Sequence, residues 1–235
     1  MNSRAWTKAR KKLGLRQADV SRELGVSQAY VSMVERGERD WPRGRLAKAV
    51  RVYGLSPAAL ALPSNAEGPS AVDPDELMKD LAALGYPGFS HVRARRQKNP
   101  AQVLLTALAQ PDLDSRLTEA LPWLVLKFLD LNWEWLVMNA KANDLQNRLG
   151  FVTSLARRLA ESNVNDNAPK KAQLLAERET ELERSRLERE DTFCKQSLTP
   201  AERSWLERSR PPEAARWHLW TDLAPQHLNR VTAAS

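Results

Sequence analysis

The stretch from Gln17 to Gly37, QADVSRELGVSQAYVSMVERG, constrains this chain more than any other. Val20 and Leu24 stand one helical turn apart and mark an inward stripe. Gly25 can adopt a positive φ and so end that first helix. Ser27 follows as a cap, its hydroxyl placed to accept from a backbone N–H two or three residues on. In the helix it opens, Val31 and Val34 share the inward face. Gln28, Ala29, Ser32 and Met33 then lie outward, and Arg36-Gly37 ends the pattern. The stretch predicts two short helices joined by a tight turn.

Charge singles out the same region. Residues 1–60 hold 13 Lys and Arg against 5 Asp and Glu, whereas the whole chain of 235 residues carries 36 against 29. The basic excess is therefore confined to the N-terminal quarter, and the remainder is nearly neutral. A polyanionic partner for that quarter follows, held through phosphate contacts and counterion release.

A helix, a glycine turn and a second helix make a helix-turn-helix, whose second helix such folds lay in the major groove. Leu13-Gly14-Leu15-Arg16-Gln17, Gly25-Val26-Ser27, Val31-Ser32 and Glu35-Arg36-Gly37 together resemble the phage repressor/Cro (XRE) type of helix-turn-helix domain, over about residues 6–62. One departure is Ser21, where the family usually packs Ala. The resemblance implies that Gln28, Ala29 and Ser32 read bases. The chemistry agrees: Gln pairs with adenine N6/N7, Ala touches a thymine methyl and Ser bonds several base edges. It also puts Gln17 on a phosphate. Ser27, Tyr30, Arg10, Lys11, Arg16, Arg36, Arg39 and Arg43 complete the expected backbone contacts, which fix register without carrying sequence information.

The expected fold class is all-α. Residues 1–62 form a five-helix repressor-like domain, with helices from about Ser3 to Leu13, over the two central segments, from Arg43 to Tyr53, and from the Ser56-Pro57-Ala58 start. Residues 63–73 are a polar, proline-containing linker. Residues 74–235 are a larger helical domain for dimerisation or partner binding. Asp73-Pro74, Asn99-Pro100 and Thr199-Pro200-Ala201-Glu202 each supply a helix start, the last a capping box. Leu117, Leu121, Leu124 and Phe128 form one apolar stripe, and Leu145, Leu149, Val152, Ala156 and Leu159 a longer one. Gly150 interrupts the latter at about 1 kcal/mol relative to Ala, which points to a closely packed neighbouring helix. Residues 169–193, rich in Glu and Arg, read as a long charged helix that stands out as an arm or lies at the periphery.

Two segments admit two readings each. His91 to Lys98 is a second basic cluster, either a solvated loop or a binding surface that extends the DNA footprint or takes an acidic protein or RNA. Trp217-His218-Leu219-Trp220 either packs into the core or docks on a partner. Leu121 to Ala160 resembles the partner domain of helix-turn-helix proteins found beside nucleotidyltransferase-like toxins. That resemblance implies an antitoxin that represses its own operon and engages a toxin protein.

Nothing points to catalysis. His91, His218 and His227 lie apart and show no metal-ligand spacing with the single Cys194. No phosphate-binding glycine loop or nucleophile elbow is present. The chain is read as a non-enzyme without cofactor or metal, cytoplasmic and not membrane-bound. Its expected partner is double-stranded operator DNA, bound as a homodimer. A ligand- or peptide-sensing regulator and a low-specificity DNA-binding adaptor are the competing readings.

Overall fold

The computed structural model describes residues 3–63, 72–93, 97–162 and 167–232, with the backbone alone for residues 3, 4, 43 and 229–232. Thirteen α-helices, two single 3-10 turns and one pair of two-residue strands account for the regular structure among them, an all-α protein. The chain divides into two units, Met1–Leu62 with Arg96–Asn99, and Pro63–Arg95 with Pro100–Ser235.

The first unit contains α1 (Ser3–Lys12), α2 (Gln17–Leu24), α3 (Gln28–Arg36) and α4 (Arg43–Val52). Its core gathers Val20, Leu24, Val31, Val34 and Val50 around an aromatic group. Trp6 meets Tyr53 edge-on at 4.8 Å and Trp41 at 6.0 Å. A fifth α-helix was expected after Ser56, but only a single 3-10 turn forms, Pro57–Ala59. Pro63 follows too soon: it disfavours helix at the residue before it, and so few residues cannot repay nucleation. Asn99 is buried in this unit, its Nδ2 donating to the carbonyls of Ala58 (2.9 Å) and Leu60 (2.7 Å).

The second unit contains α5 (Pro74–Ala83), α6 (Pro100–Leu108), α7 (Ser115–Lys127), α8 (Trp133–Ala142), α9 (Gln146–Ser162) and α10 (Ala168–Glu183). After these come β1 (Asp191–Thr192), α11 (Pro200–Ser209), α12 (Pro212–Arg216), β2 (Leu219–Trp220) and α13 (Pro225–Thr232). Helix α9 is the axis, packed by α7, α8, α10, α12 and α13. Leu149, Phe151, Val152, Leu155 and Ala156 are wholly buried along it. The Thr199–Glu202 capping box forms as its pattern requires, and the strands β1 and β2 pair in parallel.

The charged helix ends at Glu183 rather than near residue 193, a correction, and of the two placements expected for it, arm or periphery, it takes the second: α10 lies along α9 with Leu175 and Leu182 fully buried. Its end is set by α9. Buried Asn147 accepts from Leu187 N at 2.8 Å and donates to Leu187 O at 2.9 Å, holding that backbone out of helix. The charges are not all solvated either. Glu179, 3% exposed, accepts from Ser154 Oγ (2.7 Å) and Arg157 Nε (2.7 Å) and pairs with Arg216 (3.0 Å).

Gly150 does mark a close approach, made by an indole and not by a helix backbone. Trp217, 0% exposed, lies across it and donates from Nε1 to Ser154 Oγ at 2.7 Å. The C-terminal aromatic segment thus begins in the core. Cys194 is fully buried, and burial pushes its thiol up to about 12. Much of the linker expected over 63–73, and residues 94–96 of the second basic cluster, lie outside the described residues.

Candidate nucleic-acid interface

The two central helices are set by their punctuation. Gly25 takes φ 64°, and the backbone N–H groups of Gly25 and Val26 return to Arg22 O and Ser21 O, closing α2. Ser27 Oγ then accepts from Tyr30 N at 3.2 Å and opens α3. Gly37, φ 82°, closes α3 in the same manner, with Glu38 N bonded to Met33 O at 2.9 Å. At the head of α2, Asp19 accepts from Arg16 N at 2.9 Å.

The rotation of α3 is fixed by its inward face. Val31 and Val34 are 0% and 2% exposed, and Glu35 joins them at 7%. Glu35 accepts Arg10 Nε at 2.7 Å and Arg10 Nη2 at 2.8 Å, Gln17 Nε2 at 3.0 Å and Tyr53 Oη at 3.0 Å. Those donors come from α1, α2 and the end of α4, so one carboxylate ties every helix of the unit to α3. Burial alone would raise its pKa, but the hydrogen bonds from Arg10, Gln17 and Tyr53 outweigh that and hold it below the ordinary carboxylate value. Tyr53 is pushed upward, first by burial and then by the neighbouring Glu35 charge.

The opposite face of α3 is turned outward. Gln28 and Ala29 are exposed, and the Gln28 side chain has no hydrogen-bond partner among the described residues; Ser32 is half-buried beside them. Ser32 Oγ accepts from Arg36 Nη1 at 2.6 Å, which leaves its own hydrogen free to donate. Arg36 also pairs with Glu38 at 2.6 Å, both exposed.

The other expected contacts separate into two groups. Lys11, Arg16 and Arg39 are exposed. Arg10, expected on a phosphate, is instead placed in the internal pair with Glu35, its side chain 12% exposed. Gln17 directs its amide to the same carboxylate. Tyr30 donates to Asp40 O at 2.7 Å and leans on Trp41, fastening α3 to the segment that follows. The side chain of Arg43 lies outside the described residues. Glu35 itself was missed, yet a signal was present: 31, 34 and 35 share a helical face, so an acid at 35 demands a buried cation.

Residues 7–60 match the family model described as Helix-turn-helix. This segment is a helix-turn-helix domain of the XRE type. No curated protein and no solved structure matches the chain. The chain thus carries the DNA-binding domain of a transcriptional regulator, a binding domain rather than an enzymatic one. Among the described residues, no cluster of His, Cys, Asp and Glu could hold a metal ion, and no helix is long and apolar enough to cross a membrane.

Proposed function

We propose that the protein is a sequence-specific regulator that binds double-stranded operator DNA as a homodimer and represses its own operon. The observation that carries this is the division of α3. Val31, Val34 and Glu35 lock one face to the domain, while Gln28, Ala29 and Ser32 stand outward on the other. In this reading Gln28 pairs with adenine, Ala29 meets a thymine methyl and Ser32 bonds a base edge. Lys11, Arg16 and Arg39 contact phosphates, joined by Arg36 once it leaves Glu38. Two copies would read half-sites about 34 Å apart.

Binding of the full chain to the DNA upstream of its own gene, against random duplex over a salt series, tests the proposal. It requires a preference of about 10³-fold or more. Equal affinity with equal salt slopes would reduce the protein to a low-specificity adaptor.

The antitoxin role is part of the same proposal and rests on the segment from Leu121 to Ala160. Most of that segment is the buried core of the second unit, along α7, α8 and α9. It therefore supports a shared scaffold more directly than a shared partner surface. Co-expression with the product of the adjacent gene tests the role: protection from a toxic neighbour supports it, and a harmless neighbour removes it.

A further inference from the structure

The second unit holds a cavity of about 390 Å³ that the DNA-binding reading does not use. It is large enough for a small organic ligand. Leu113, Phe193, Leu198, Leu206 and Leu223 line it with apolar surface, and Phe193, Leu206 and Leu223 are themselves anchored in the core. Two indoles contribute to the wall, Trp205 and Trp220. Trp205 is 53% exposed, a large apolar ring left uncovered beside an apolar floor.

Its polar groups define what would be recognised. Glu202 is committed, since it accepts from Thr199 N and Thr199 Oγ1 at 2.8 Å each and pairs with Lys195 at 3.4 Å. Lys195 is engaged in that pair. Thr118 Oγ1 donates to Ser115 O, and Thr221 Oγ1 accepts from Leu223 N. Ser115 and Asp222 remain, and of the two only Asp222 is charged: its carboxylate has no hydrogen bond or ion pair among the described residues. The lining thus offers one uncompensated negative charge, aromatic faces and an apolar floor. The chain already uses one of those faces for a cation, because the Arg203 guanidinium sits 5.0 Å from the Trp220 ring centroid.

We infer that this cavity binds a small organic cation, an ammonium group carried on an apolar or aromatic body. The body displaces water from the leucine and phenylalanine floor, and the ammonium lies against Asp222 and the indole faces. An anion would meet the Asp222 carboxylate, with Lys195 already paired with Glu202 and Arg203 already held over Trp220, so the site selects against it. The inference concerns the second unit alone and stands independently of the DNA reading.

The test uses the full chain labelled with ¹⁵N at tryptophan, titrated with 2-phenylethylamine, its neutral analogue 2-phenylethanol, and phenylacetate. Indole N–H signals are assigned with Trp205→Phe and Trp220→Phe. The inference predicts saturable shifts confined to Trp205 and Trp220 and their surroundings, strongest for the amine and weakest for phenylacetate. Asp222→Asn, on the surface and outside the core, should weaken the amine about fivefold, as expected for a partly exposed charge pair, and leave the alcohol unchanged. No saturable shift up to the solubility limit, or equal binding of the three probes, overturns it. No DNA is present, so neither result bears on the operator.

Discussion

Replacing Gly150 by Ala should destabilise the second unit, although helix propensity alone points the other way. In an exposed helix interior the change would gain about 1 kcal/mol. Here the added methyl would fall within 2.5 Å of Trp217 Cε3 and closer still to Cζ3 and Cη2, nearer than any carbon contact allows. The indole cannot withdraw cheaply. It is 0% exposed, and its Nε1 is held by Ser154 Oγ, itself bonded to the buried Glu179. Overpacking of this kind costs about 1–3 kcal/mol, and loss of the buried hydrogen bond adds about 1 kcal/mol. The expected net loss is about 2 kcal/mol, or roughly 4–8 °C in the calorimetric transition of a unit this size. Trp217→Ala should itself cost about 3–5 kcal/mol. In that background Gly150→Ala should turn neutral or stabilising, because the obstacle is gone. A Gly150→Ala protein that is more stable than wild type with Trp217 in place would refute the packing argument.

Other outcomes follow from the buried charges and the thiol. Glu35 has a folded pKa below its ordinary value of 4.5, so its contribution is complete above about pH 4.5 and is lost as pH falls through the lower folded value. Acid unfolding of the first unit should therefore be steep below pH 4.5, and Glu35→Gln should flatten that limb. Glu35→Ala strands Arg10, and should cost about 3–5 kcal/mol in chemical denaturation. Cys194, wholly buried with its thiol pushed up to about 12, should resist a maleimide in the native protein and react with one equivalent after unfolding. Labelling at the native rate of a free thiol would contradict its placement.

What was legible in the sequence is what local chemistry decides. The stripes Val20/Leu24 and Val31/Val34, the glycines at 25 and 37 and the serine cap at 27 each act within a turn of helix, and each fixes its element without distant help. The outward placement of Gln28, Ala29 and Ser32 follows from the same periodicity. Interactions that join distant residues were not legible. Arg10 read as one more surface cation because its partner lies 25 residues away on another helix. Glu179 read as one of many charges on an arm or peripheral helix, yet Ser154, Arg157 and Arg216 converge on it from α9 and the end of α12. The end of α10 was placed too late because Asn147, 40 residues earlier, captures the backbone of Leu187. Gly150 announced a close approach but could not name Trp217.

The central claim, that the outward face of α3 reads base pairs, is tested most directly by a base-by-base operator scan with wild type and Gln28→Ala. Every position of the bound duplex is substituted in turn, at fixed salt, and affinities are compared. The account predicts that Gln28→Ala costs about 1–3 kcal/mol on the parent operator and abolishes discrimination at one or two adenine positions per half-site, with the salt slope unchanged. If the variant retains the wild-type preference at every position, Gln28 reads no base and the recognition face has been misassigned.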